Sequence, residues 1–292
     1  MFRILSERGL MLMILSAFFF ALSDVLVKVM SPSIGMFQIA FFRFLLGGLI
    51  LWPVLVLGRS SLRGKSTGAL VLRGLAGTLA FFCLIKSIAM IPLSNAMVLL
   101  YTFPLFATVF SFLLLKERFG KLEILLIVVG MMGIYILINP SSQGYTMGHI
   151  FGLVAGCCAG LVMALTRKLR KTNGALIIYF YFCIVGGLFS FPFFIARLAI
   201  PDWEQLSLLI VLAVVFLIAQ ILMNQGFKFC KAPEGSVILM SEVVFAGIAG
   251  VVIFNDSLSP SFWAGAPLIV GSGVGLNLIS RRSRSPDALA NS

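Results

Sequence analysis

"GMFQIAFFRFLLGGLILWP" (residues 35–53) and "GALIIYFYFCIVGGLFSFP" (174–192) are one pattern written twice. At a shift of 139 residues Gly35 meets Gly174, Gly47-Gly48 meets Gly186-Gly187, and Pro53 meets Pro192. At a shift of 141, "AMIPLSNAMVL" (89–99) lies over "CKAPEGSVILM" (230–240), Pro92 meets Pro233, and Gly130 meets Gly271. Glycines and prolines in one order at a nearly constant offset mark an internal duplication, which has to be read before any motif. Both copies are almost wholly apolar, yet the first keeps a permanent cation, Arg43. Its meaning depends on the solvent around it.

That solvent is lipid. Of 292 residues, 60% are hydrophobic and 11% charged, with a mean hydropathy of +1.10. A soluble domain carries about 25% charged residues, so no water-soluble surface can be built from this set. A bilayer span needs about 20 largely apolar residues. Ten such runs lie near 10–29, 34–57, 68–91, 94–115, 122–139, 148–168, 174–195, 206–228, 233–254 and 261–280. They do not alternate polar and apolar, which excludes an outer-membrane barrel. The first run has basic flanks and an Ala-Leu-Ser at 21–23 like a cleavage site, but its apolar stretch continues to Met30, so it reads as a span and not as a leader.

The formal charge of +12 orients the chain and needs no nucleic-acid partner. With ten spans, 17 of the 22 Lys and Arg residues fall in loops and tails on the side of both termini, Arg197 alone falls opposite, and four lie within spans. The positive-inside rule then makes both termini cytoplasmic. Residues 1–140 and 141–292 each hold five spans. Five is odd, so the second copy enters the membrane from the other side. Inverted repeats of this kind belong to secondary transporters, whose site lies near the midplane between the halves.

Charges inside the spans are the candidates for that site, because each costs roughly 2.5–3.5 kcal/mol on insertion scales. Glu242 sits about nine residues, or ~13 Å, into a core about 30 Å thick. It is either a proton-coupling group or a binder for an amine, unless it is paired with a cation such as Arg73. Asp24 and Arg43 lie at similar depth and can pair, which would fix the first span against the second. Lys28 is another partner for Asp24, one turn away. Arg73, about five residues inside the third span, reads as snorkelling to the cytoplasmic surface, and Lys86, near the outer end of that span, reads likewise. Thr78, Phe82 and Lys86 recur every four residues and form a face that can line a cavity. Gln220 and Asn224 share a face in the eighth span, and Asn95 and Tyr101 lie in the outer half of the fourth. Tyr101 falls on Glu242 at a shift of 141, so the two are expected to face each other. The small-residue pairs Gly47-Gly48, Gly186-Gly187, Gly156/Gly160 and Gly271/Gly275 read as sites of close helix packing.

Three segments carry a resemblance to a known family: "FFRF" (41–44), "AMIPLSNAMVLLYTFPLF" (89–106) and "FSFLLLKERFGKLEILLIVVGMMGIYIL" (110–137). Over essentially its whole length, as two copies of one unit, the chain resembles the EamA-type transporters of the drug/metabolite transporter superfamily. The second copy departs from the pattern: Phe182 stands where the first has Arg43, and Asn255-Asp256 where it has Lys-Glu. The resemblance implies ten helices in the inner membrane, packed as two inverted five-helix halves around a central cavity. It implies passage of small polar metabolites, amino acids or related solutes, often outward, without ATP.

No phosphate-binding loop of the G-x-x-x-x-G-K-[ST] kind is present. The five cysteines have no ligand spacing and His149 is the only histidine, so neither a metal nor a cofactor is expected. Substrate contact is expected from Glu242, Tyr101, Asp24, Asn224, Gln220, Lys86, Phe82 and Asn95, with Arg43 and Arg73 as structural or coupling charges. The expected function is alternating-access transport of a zwitterionic or charged solute such as an amino acid or amine, driven by a proton, by an exchanged solute or downhill. The rivals are a membrane-embedded lipid-modifying enzyme and a non-transporting receptor. Nearly bare outward loops argue against the first, and the lack of extramembrane domains against the second.

Overall fold

The structure, a computed structural model, describes residues 2–58, 64–139, 146–195, 201–254 and 260–283. Arg59, Arg63, Arg197 and Arg284 of the charge count, the Asn255-Asp256 pair and the 140/141 boundary lie outside the described residues. Among these residues every element is a helix: α1 (Phe2–Met30), α2 (Met36–Leu57), α3 (Thr67–Met90), α4 (Leu93–Leu100), α5 (Phe103–Leu115), α6 (Lys121–Ile138), α7 (Met147–Leu169), α8 (Ala175–Ile195), α9 (Trp203–Gly226), α10 (Ala232–Leu239), α11 (Ser241–Phe254) and α12 (Pro260–Ser283). Ten described segments, from Glu7–Met30 to Pro260–Ile279, are long and apolar enough to cross a membrane. They coincide with the ten apolar runs. In lipid every backbone polar group must be satisfied within the segment, so a chain this apolar has no alternative to helices or a closed barrel.

Twelve helices make ten spans because the fourth and ninth are each interrupted near the middle. The fourth breaks at Tyr101-Thr102. Pro104, in the first turn of α5, has no N–H to continue the ladder, and Thr102 Oγ1 donates to the Leu99 carbonyl at 2.6 Å. The ninth breaks at Met240, where Ser241 Oγ donates back to Ile238 O at 2.7 Å. The breaks fall within two residues of each other in the two copies, since Tyr101 at the first break meets Glu242, just past the second, at the shift of 141.

The packing repeats the duplication. α3 packs on α7 and its counterpart α9 on α1; α5 packs on α7 and its counterpart α11 on α1. α2 meets its own counterpart α8, and α6 meets α12. This exchange of partners is what a two-fold relation demands of an interface. It extends to single contacts. A Cβ on Gly47 would lie 2.7 Å from Tyr179 Oη and 3.3 Å from Cys183 Sγ, and one on Gly186 would lie 2.7 Å from the Phe44 ring. Gly47 and Gly186 are equivalent, as are Phe44 and Cys183. Around this seam a core of Met13, Phe44, Leu51, Tyr179, Phe182, Phe216 and Phe227 joins α1, α2, α8 and α9. A second core of Ile127, Ile134, Val237 and Ile269 joins α6, α10 and α12.

Gly156 and Gly160 are also needed: on Gly160 a Cβ would meet Phe106 Cβ at 2.5 Å and the Ala107 nitrogen at 2.7 Å. Gly271 is not, because its Cβ position is open, contrary to the packing role its pairing with Gly275 suggests. Gly160→Ala should therefore cost about 1–3 kcal/mol by overpacking, seen as a lower thermal midpoint of the detergent-purified protein. Gly271→Ala in the same assay should melt with the wild type.

Candidate functional site

Between the halves lies a cavity of about 390 Å³, within the range of small-molecule sites. Its wall gathers Asp24 from α1, Arg43 from α2, Arg73 from α3, Tyr101 from the break in the fourth span, Gln220 from α9 and Glu242 from the first turn of α11. Six of the ten side chains singled out from sequence thus share one wall. Phe20, Phe81, Phe103, Phe182, Phe216, Met97 and Met163 fill the spaces between them. A larger crevice of about 520 Å³ between α2 and α8 is lined only by apolar and aromatic side chains, glycines and Cys183. The polar chemistry sits in the smaller cavity.

The two carboxyl groups, Asp24 and Glu242, lie within hydrogen-bonding reach of each other. Such a bond needs a proton on one of the two. Tyr101 lies close enough to feel the charge of both, so the break residue of one copy and the acid beside the break of the other meet on one wall.

The cations are held differently. The Arg43 guanidinium carbon stands 4.1 Å from the Phe216 ring centre and 5.1 Å from those of Phe44 and Phe81. Its Nε is buried without a hydrogen-bond partner. Its charge reaches Asp24, but the expected direct pair does not form: no ion pair joins Asp24 to Arg43 among the described residues, whereas Arg167–Glu117 lies at 3.5 Å and Lys231–Glu123 at 2.7 Å. The Asp24 carboxyl is turned to Glu242 instead.

Arg73 does not snorkel. It is 1% exposed and points inward. Nε donates to Thr166 Oγ1 of α7 at 3.3 Å and Nη2 to Gln220 Oε1 of α9 at 3.0 Å, while the guanidinium carbon lies 4.5 Å over the Phe182 ring. Glu242 is therefore not its partner. Gly77 and Ala80, a turn or two above Arg73, are small and line the cavity with Phe81 and Leu84. This i, i+4, i+7, i+8, i+11 row is the cavity face of α3. The face drawn through Thr78, Phe82 and Lys86 is rotated about 100° from it and points elsewhere. Phe82 stacks among Phe37, Phe189 and Phe193, with centroids 4.9–5.5 Å apart. Thr78 Oγ1 turns back to Gly74 O, and Lys86 is exposed.

Two more expected residues lie off the wall. Asn224 is buried, with Nδ2 donating to Ala175 O at 3.2 Å, and so ties α9 to the start of α8. Asn95 is buried in α4 away from the cavity. Sequence reasoning missed the aromatic lining, since 28 Phe residues offer no way to choose Phe81 or Phe216. The inward turn of Arg73 was detectable only through the small residues Gly77 and Ala80 above it.

The cavity is closed at one end. Arg73, Gln220 and Met223, nearest the side of the termini, are buried, while Asp24, toward the far side, is exposed and Phe81, Leu84 and Met97 are half-exposed. Below the closed end the halves are tied together: Lys231 to Glu123, Arg167 to Glu117, and Asn173 Nδ2 to Lys65 O at 2.9 Å. Arg167 Nη1 also donates to the carbonyls of Phe227 and Lys228.

The model of the EamA-like transporter family matches the chain twice, over residues 7–139 and 146–278. The chain belongs to the EamA-like transporter family. The transporter is 27% identical to the pseudopaline exporter CntI of Pseudomonas aeruginosa strain UCBPP-PA14 over 92% of its own length and 93% of that protein. It is 24% identical to the S-adenosylmethionine uptake transporter of Rickettsia prowazekii, over 95% of each chain. It is 25% identical to Solute carrier family 35 member G1 of Homo sapiens, over 91% of its own length and 78% of that protein. A solved crystal structure shares the fold with a TM-score of 0.76 at 19% identity, covering 96% of this chain and 99% of the other. Family and relatives place the chain among small-metabolite transporters and not among enzymes.

The graded exposure has a direct check. In a background without the five native cysteines, Leu84→Cys should react at least tenfold faster than Met223→Cys with a membrane-impermeant methanethiosulfonate reagent applied from the far side. Faster labelling at 223 would mean that the opposite end is open.

Proposed function

We infer that the transporter is a multi-pass protein of the cell inner membrane, with both termini cytoplasmic, that moves a zwitterionic metabolite such as an amino acid or amine-bearing relative by alternating access. Residues 1–140 and 141–292 are its moving halves. The observation that carries the solute class is the wall of the central cavity, with a carboxyl pair, Asp24–Glu242, and two guanidinium groups, Arg43 and Arg73. A solute bearing both signs has a partner for each. S-adenosylmethionine, named for one relative, carries an amino-acid end of this kind, which supports the reading.

With the termini cytoplasmic, the open end of the cavity faces outward and the ties at Glu117, Glu123 and Lys65 close the inside. Opening inward requires those contacts to part while equivalent ones form on the outer face.

The carboxyl pair also supports a coupling route. The proton it holds and a solute ammonium compete for the same oxygens, so loading an amine displaces the proton and unloading takes one up. Each cycle then exchanges a proton for the solute. In proteoliposomes with amino acids, amines and S-adenosylmethionine as probes, a pH gradient should accelerate flux of at least one of them. Glu242→Gln should lose that acceleration at least tenfold while exchange of labelled for unlabelled solute persists. PH-driven flux unchanged in the variant would remove the proton from this pair and leave solute exchange as the drive.

A further inference from the structure

Arg73 is the most completely enclosed charge of the cavity, and the protein supplies it with no counter-charge. A guanidinium has five N–H donors and no acceptor. Two of its three nitrogens are used, Nε on the Thr166 hydroxyl and Nη2 on the Gln220 amide oxygen, both neutral acceptors. The third, Nη1, is buried and unpartnered. The π face rests on Phe182. Among the described residues no carboxylate forms an ion pair with it, and the two acids of the cavity lie within hydrogen-bonding reach of each other. A side chain needed only to bridge α7 and α9 would not need a charge, because a neutral amide can donate to the same two oxygens. A full cation kept here, 1% exposed and on the cavity wall, answers to a charge that arrives.

We propose that Arg73 is the anion-binding residue of the transport cavity: Thr166 and Gln220 position its guanidinium at the closed end, where Nη1 receives the carboxylate of the solute. The assignment rests on the zwitterion reading above and deepens it, because it gives the solute a direction. The carboxylate points to the closed end and the ammonium to the Asp24–Glu242 pair. Arg43 assists without taking the anion first. Its guanidinium is spread over three phenyl rings, and Phe44, one of the three, stands edge-on to Phe182 with centroids 5.0 Å apart. Phe44 and Phe182 thus link the two cations through one aromatic contact, with Arg73 toward the closed end and Arg43 at the depth of Asp24. Asp24 lies nearer the open end than Arg73, so the field between them aligns a zwitterion before it makes contact. A planar fork suits a planar carboxylate better than a point charge does, which separates this role from one a lysine would fill.

The test uses two probe series: L-methionine, L-methioninamide and 3-(methylthio)propylamine, and L-phenylalanine, L-phenylalaninamide and phenethylamine. Flux is measured in proteoliposomes, and thermal midpoints on the purified protein without ligand. In the wild type the acid of a series should exceed its amide and amine at least tenfold. Arg73→Gln should erase that preference, Arg73→Lys should restore part of it, and the ligand-free Arg73→Gln protein should melt at or above the wild-type midpoint, since the charge serves the solute and not the fold. Equal flux of acid and amide in the wild type, or preference kept in Arg73→Gln, overturns the assignment while leaving transport intact. If no member of either series moves, the amino-acid reading fails by itself and the midpoints decide. Arg73→Gln melting below the wild type makes Arg73 a structural bridge and sinks the proposal; melting at or above it upholds the proposal.

Discussion

A charge inside a bilayer has to be given a partner, water or a ligand, and the rest of this structure follows from where that was done. No charged group within the spans is left on lipid at mid-depth. Asp24, Arg43, Arg73 and Glu242 all line one cavity in the seam between the two halves. The helices that carry them, α1, α2, α3 and the ninth span, are thereby compelled to face one another. Their outer faces are left to Leu, Val, Phe and Trp.

The frame around the seam is nearly symmetric and its chemistry is not. Gly47 against Cys183 and Gly186 against Phe44 are the same contact seen from either half. The seams α2–α8 and α6–α12 lie where each helix meets its own counterpart. Small residues there remove the bulk that would hold the halves apart, and in lipid close van der Waals approach takes over much of the role that hydrophobic burial has in water. On this frame Arg43 is replaced by Phe182 in the second copy and Tyr101 by Glu242. The replacements are complementary: Phe182 lies under Arg73, and Tyr101 lies within reach of the charge on Glu242. The two copies thus bring different charges to one hollow, with Arg73 at the closed end and Asp24 toward the open one.

The same duplication makes both ends of the molecule alike in shape and unlike in fastening. Lys231–Glu123 and Arg167–Glu117 cross from one half to the other on the side of the termini. Arg167 and Lys231 belong to the basic loops on that side, so the charge asymmetry of the sequence also supplies the cations of the ties that close it.

Much was legible in the sequence. Ten spans, two copies and their inversion follow from apolar run length, from glycine and proline order and from an odd number of spans per copy, and each needs only the bilayer as solvent. Asp24, Glu242, Tyr101 and Gln220 could be nominated because a polar group at that depth is costly. What a one-dimensional reading could not supply is rotation about each helix axis. Phe81 and Phe82 are neighbours in sequence, yet one lines the cavity and the other stacks among phenyl rings behind it. Arg73 looked close enough to the surface to reach it, but packing of α3 against α7 and α9 turned it inward. Asp24 had two cations within reach on paper and took a carboxyl instead. Composition and repeat settle how often the chain crosses and that its two halves are inverted, since those depend on run length and on the solvent alone. Which side chains meet depends on helix rotation and close approach, and only the packed halves decide that.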